Sequence, residues 1–92
     1  VELQNIILEE QNFLKLKHAK LTMYDSKIKL AKDDFNLYTS LLEDISISFE
    51  AGLTAKADVN IMKNSKKIKS LDIEIFEINK QIELLDIYAR IN

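Results

Sequence analysis

The sequence predicts an all-α fold: a long antiparallel helical hairpin, a two-helix coiled coil with a tight turn at Gly52. Three observations carry that expectation. Gly52 is the only glycine in the 92 residues and proline is absent, so the chain has one natural breaking point, close to its middle. Apolar residues recur at seven-residue spacing on both sides of it. The composition, 47% hydrophobic and 30% charged, matches long-helix and coiled-coil proteins.

The first helix is expected over residues 2–51. One line of its heptads is Ile7, Leu14, Leu21, Ile28, Phe35, Leu42 and Phe49, all apolar. The other is Leu3, Glu10, Lys17, Tyr24, Ala31, Tyr38 and Ile45, apolar except for Glu10 and Lys17. Repeats sustained this long specify a rod of about 70 Å at ~1.5 Å per residue.

The turn is expected at residues 52–54. A glycine just beyond a helix takes the left-handed conformation that closes the last carbonyls. Leu53 is then placed to touch Ile47, and Thr54 to cap the next helix, with Asp58 adding negative charge near its N-terminus.

The second helix is expected over residues 55–91. Its heptads give Ile61, Ile68, Ile75, Ile82 and Ala89 on one line and Asn64, Leu71, Ile78, Leu85 and Asn92 on the other. Folding the helices about residue 53 sets Phe35 against Leu71, Ile28 against Ile78, Tyr38 against Ile68 and Ala31 against Ile75. The same register pairs Lys32 with Glu74, Lys29 with Glu77, Lys20 with Asp86 and Glu43 with Lys63. Asn64 reads as a polar seam residue that fixes register.

That seam leaves apolar residues over. Val59, Met62, Ile73, Phe76, Leu84, Ile87 and Ile91 fall on the far side of the second helix. Phe13, Leu16, Met23, Leu30, Leu37 and Leu41 do so on the first. Two apolar faces on one helix call for neighbours on two sides. Leu3, Ile6, Ile7 and Phe13 overhang the second helix and lack a partner within the chain.

Several functions find no support in the residues. A net charge of −2 gives no reason to expect nucleic acid or an anionic membrane as partner. Without cysteine there is neither a disulfide nor a thiolate metal site. No run is long enough for a transmembrane helix and no signal peptide is visible. The chain begins with Val1, so a fragment of a larger protein is expected. His18, alone among lysines, reads as a surface residue. The neighbouring carboxylates Glu9/Glu10, Asp33/Asp34 and Glu43/Asp44 point in different directions on a helix. Glu74 and Glu77 share a face but lack the Glu-x-x-His spacing of a di-metal bundle. Lys63, Lys66, Lys67 and Lys69 scatter round the helix, as on a solvated or salt-bridged face. No enzyme, cofactor or metal is expected.

The tip has a more specific likeness. Phe49, Gly52, Asp58 and Val59, with Leu53 and Thr54 after the glycine, resemble the hairpin tip of the TolC family of outer-membrane efflux and secretion channels. The stretch Ala51-Gly52-Leu53-Thr54-Ala55-Lys56-Ala57-Asp58-Val59 is similar almost throughout. Asn60, Met62 and Lys63 depart from the Leu and Ala-Gln that usually follow.

The resemblance implies a hairpin of a trimeric periplasmic α-barrel in a Gram-negative bacterium, reaching the membrane only through β-barrel segments outside this chain. It implies that Gly52, Leu53, Thr54, Ala55, Lys56, Asp58 and Val59 meet the hairpin of a periplasmic adaptor protein. The isolated hairpin is expected to self-associate. The alternatives are the hairpin of an adaptor (membrane-fusion) protein, whose tip usually has an Arg and a Ser that this one lacks, and an unrelated coiled-coil interaction module.

Overall fold

A computed structural model describes residues 1–91; Asn92, assigned above to a heptad line, lies outside the described residues. Two helices make up the fold, α1 (Glu2–Glu50) and α2 (Lys56–Ile91). They lie antiparallel in a rod of 75 × 16 × 14 Å. The length of the rod is the length of α1, about 73 Å at ~1.5 Å per residue. The hairpin expected from the sequence is therefore the fold.

From Leu21 to Ile45 the inner face of α1 is the one its heptads specify, whereas Leu14 and Phe49, expected in the same line, are 48% and 40% exposed. Leu21, Tyr24, Ile28, Phe35, Tyr38 and Leu42 are half-buried, and Ala31 is buried at 6% exposure.

The inner face of α2 is not the expected one. Ile61, Ile68, Leu71 and Ile75 point outward at 46–62% exposure, and Asn64 is exposed with them. Val59 is buried, and Met62, Ile73, Phe76 and Ile87 are half-buried against α1. The helix is rotated by about half a turn from the arrangement in which its most apolar stripe would fill the seam.

The charged residues of that face agree with the choice. The inner face of α2 is itself a strict heptad, running Val59, Met62, Lys66, Lys69, Ile73, Phe76, Lys80, Glu83, Ile87, Arg90. Each charged residue in it meets a partner on α1. Lys66 lies over the Phe35 ring at 5.3 Å. Lys69 is 3.7 Å from Asp34 and lies over Tyr38 at 5.9 Å. Lys80 is 2.6 Å from Asp25, and Glu83 is 2.5 Å from Lys17. Arg90 contacts Glu10 at 3.0 Å and stacks on Phe13 at 4.2 Å. With the isoleucine stripe inward these partners would be exchanged for the surface pairs expected from the sequence, and Lys66, Lys69, Lys80 and Arg90 would turn away from α1.

The register shifts accordingly. Lys20 pairs with Glu83 rather than Asp86, and Lys32 with Glu77 rather than Glu74. The pairs Lys17–Asp86, Lys20–Glu83 and Asp34–Lys69 are symmetric about the Ala51–Gly52 peptide, not residue 53. Phe13, expected to overhang, is covered by Arg90 and Lys17. Leu3, Ile6, Ile7 and Leu8 do project beyond α2, at 48–68% exposure.

The two faces of α2 give a direct test in dilute solution. Phe76→Ala removes half-buried surface and is expected to lower hairpin stability by about 1–3 kcal/mol. In the monomeric hairpin, at concentrations too low for copies to associate, Ile75→Ala, one residue earlier on the outer face, is expected to change it by less than about 0.5 kcal/mol. Urea unfolding followed by circular dichroism measures both, and the opposite ranking would return the isoleucine stripe to the seam.

Candidate functional site

The tip is built by a complete C-cap. The Ala51 N–H donates to the Ile47 carbonyl at 3.0 Å, the Gly52 N–H to Phe49 at 2.9 Å and the Leu53 N–H to Ser48 at 2.8 Å. This is the Schellman arrangement, which turns the last α1 carbonyls from open acceptors into satisfied ones. Gly52 has φ +77°, the left-handed region that a Cβ disfavours, and it is the only residue of the described chain with positive φ. A Cβ at Gly52 would meet nothing within 4 Å, so the demand for glycine is one of backbone conformation alone.

The rest of the turn departs from expectation in three ways. It spans residues 51–55, wider than 52–54. The α2 cap is the Ala55 carbonyl, which accepts from the Asp58 N–H at 3.1 Å, so Thr54 lies one residue too early to serve as the N-cap. Leu53 does not fold back on Ile47; it is 82% exposed. Asp58 does lie in the first turn of α2, where its charge favours the free N–H groups.

The sequence-predicted tip residues therefore separate into two groups. Gly52, Leu53, Ala55, Lys56 and Asp58 are exposed and Thr54 is half-exposed, together forming the end surface of the rod. Val59 is buried, at 6% exposure, and belongs to the seam. Its part is to hold the turn from beneath. The surface it supports is small and carries the exposed apolar side chain of Leu53 together with one cation, Lys56, and one anion, Asp58.

A second constellation, at the open end, was not anticipated. Lys17 is buried in the seam with Nζ 2.5 Å from Glu83 and 2.6 Å from Asp86, and Lys20 is 3.8 Å from Glu83. Asp86, first, and Glu83 hold the Lys17 ammonium above its usual range. Lys17 in turn holds the Asp86 carboxyl below its own. Next to it, the one arginine binds Glu10 through Nε and Nη2, which raises its pKa further. The sequence signal was present: Glu10 and Lys17 are the polar residues of the α1 heptads, and Glu83 and Arg90 are spaced to meet them. These groups are mutually neutralised and serve to fasten the helices.

Nothing in the described residues has the geometry of a metal site; no three His, Cys, Asp or Glu side chains are grouped to hold an ion. No described helix is long and apolar enough to cross a membrane. His18 is exposed. The basic cluster divides, with Lys66 and Lys69 turned to α1 and Lys63 and Lys67 to solvent. An open groove beside the seam is lined by Asp25, Lys32, Glu77, Gln81, Ile82 and Leu85, too mixed in charge to select a ligand by sign.

Compared with known family models, curated proteins and solved structures, the chain matches none.

Two measurements probe this geometry. Gly52→Val is expected to cost about 1–2 kcal/mol through the positive φ alone, with loss of the Leu53–Ser48 hydrogen bond read by amide exchange. For the open end, the contribution of Asp86 is complete above its ordinary pKa of ~3.9 and lost as pH falls through the lowered folded value. That of Lys17 is complete below ~10.4 and lost as pH rises through the raised one. The melting temperature should thus be level between about pH 5 and pH 9 and fall on both sides. Asp86→Asn should make the acid limb shallower.

Proposed function

We propose that the chain is a structural hairpin of the periplasmic α-barrel of a TolC-like outer-membrane channel for efflux or secretion, with its tip docking to a periplasmic adaptor. The observation that carries this reading is the tip itself. The segment that resembles the family, Ala51 to Val59, lies at the end of a 75 Å rod on a hydrogen-bonded turn, with Val59 buried beneath it. Leu53, Lys56 and Asp58 are free there to meet another hairpin. A second support is the apolar surface outside the seam, on both helices, which suits a wall element with a neighbour on each side.

In this role the hairpin does no chemistry. Its length spans distance, its sides pack on neighbours, and its tip presents a short recognition surface at a fixed place. Specificity at such a tip comes from charge signs around an apolar contact.

The test belongs in the full-length protein that carries this hairpin. Lys56→Glu and Asp58→Lys are expected to reduce transport roughly tenfold or more and to abolish cross-linking of the tip to an adaptor, with oligomer formation unchanged. Transport and cross-linking that survive both changes would remove the tip as a docking surface. Flanking sequence lacking the alternating strands of a β-barrel would remove the channel reading itself.

A further inference from the structure

The hairpin leaves a second coiled-coil seam open on the outer face of α2. One line of it is Ile61, Ile68, Ile75 and Ile82, and the other is Asn64, Leu71, Ile78 and Leu85. Every apolar residue in these lines is 46–63% exposed. At ~100° per residue they lie across the helix from Val59, Ile73 and Phe76, which face α1. From Ile61 to Leu85 the strip runs about 36 Å, a longer apolar surface than soluble monomers ordinarily expose. On α1, by contrast, Leu16, Met23, Leu30 and Leu37 form one line a single residue wide. Coiled-coil packing needs two lines, and only α2 has them.

We propose that this face of α2 is a homodimer interface, on which α2 of a second copy of the chain packs parallel and in register. Three features of the strip select that occupant. Isoleucine throughout one line, with leucine at two positions of the other, is the composition of two-stranded parallel coiled coils. The flanking charges agree: in parallel register Lys67 faces Asp72 of the second copy, and the symmetry makes this pair twice. In antiparallel register Asp72 would face Asp72 and Glu74 would face Glu74, opposing like charges at the centre. Among the described residues neither Lys67 nor Asp72 has an ion pair within the hairpin, so both are available. Finally, parallel packing puts Asn64 opposite Asn64 of the second copy, polar against polar. Antiparallel packing puts it against Ile82. A polar seam residue sets register in this way.

The α1 contact and the dimer contact use opposite faces of α2, so they coexist. The assembly is a row of four helices with the two α2 in the middle. The dimer is that of the isolated chain: in a channel wall, where one repeated contact joins unlike faces, α1 of the next hairpin would take this face of α2 instead.

The chain lacks cysteine, so single substitutions report the contact without background. Ile61→Cys and Leu85→Cys should each give disulfide-linked dimers on mild oxidation, because each residue meets its own copy within disulfide reach. Leu30→Cys should not. In sedimentation equilibrium the unmodified chain should be dimeric, and Ile68→Asp should weaken association roughly hundredfold with helicity unchanged. Should Ile68→Asp lose helicity, the cysteine cross-links decide alone. A monomer at all concentrations overturns the proposal. So does cross-linking only between Ile61→Cys and Leu85→Cys chains when mixed, which is antiparallel packing. Cross-linking through Leu30→Cys instead marks an α1 contact and overturns it equally. None of these results depends on tip docking, whose failure would leave the dimer in place.

Discussion

The pairing of charged residues across the seam is the constraint from which the rest of the structure follows. Lys66, Lys69, Lys80, Glu83 and Arg90 occupy half of the α2 inner face, positions that a simple coiled coil would fill with leucine. Individually such contacts contribute little where exposed, about 0–1 kcal/mol. Here they act as a set, because only one rotation and one register of α2 supplies partners for all of them. Apolar packing at Val59, Met62, Ile73, Phe76 and Ile87 provides the adhesion, and the charges decide which adhesion is used. The consequence is that the more apolar stripe of α2 remains outside.

The two ends of the rod are held by different chemistry. At the tip the helices are joined by a short covalent turn, closed by backbone hydrogen bonds and backed by Val59. At the open end they are joined by ions, Lys17 with Glu83 and Asp86, and Arg90 with Glu10. Salt screens the exposed Arg90–Glu10 pair more than Lys17 with Glu83, whose side chains are enclosed in the seam.

Much of this was legible in the sequence. Gly52 located the turn, and the unbroken heptads of α1 gave its inner face correctly from Leu21 to Ile45. The α2 face was misread because the stripe with most isoleucine was assumed to turn inward, a rule that holds only for a helix with one neighbour. The corrective signal was the second heptad running through Val59 and Phe76, whose charges alternate with complementary groups on α1. At the tip, Leu53, Lys56 and Asp58 could be read as surface from their closeness to the glycine. The burial of Val59 and the cap at Ala55 could not, since both depend on where the backbone emerges from the left-handed residue.

Both faces of α2 repeat every seven residues, whereas a straight α-helix repeats every 3.6 per turn. A stripe of that period drifts by ~20° per heptad and winds as a left-handed spiral about the helix. The inner and outer stripes share the period, so they wind together, like two threads of equal pitch cut into one shaft. Coiling around α1 therefore gives the outer thread the same pitch that any further helix must follow. The hairpin meets such a helix already wound to receive it, and the conformational cost of joining falls on the approach of the two bodies rather than on reshaping either.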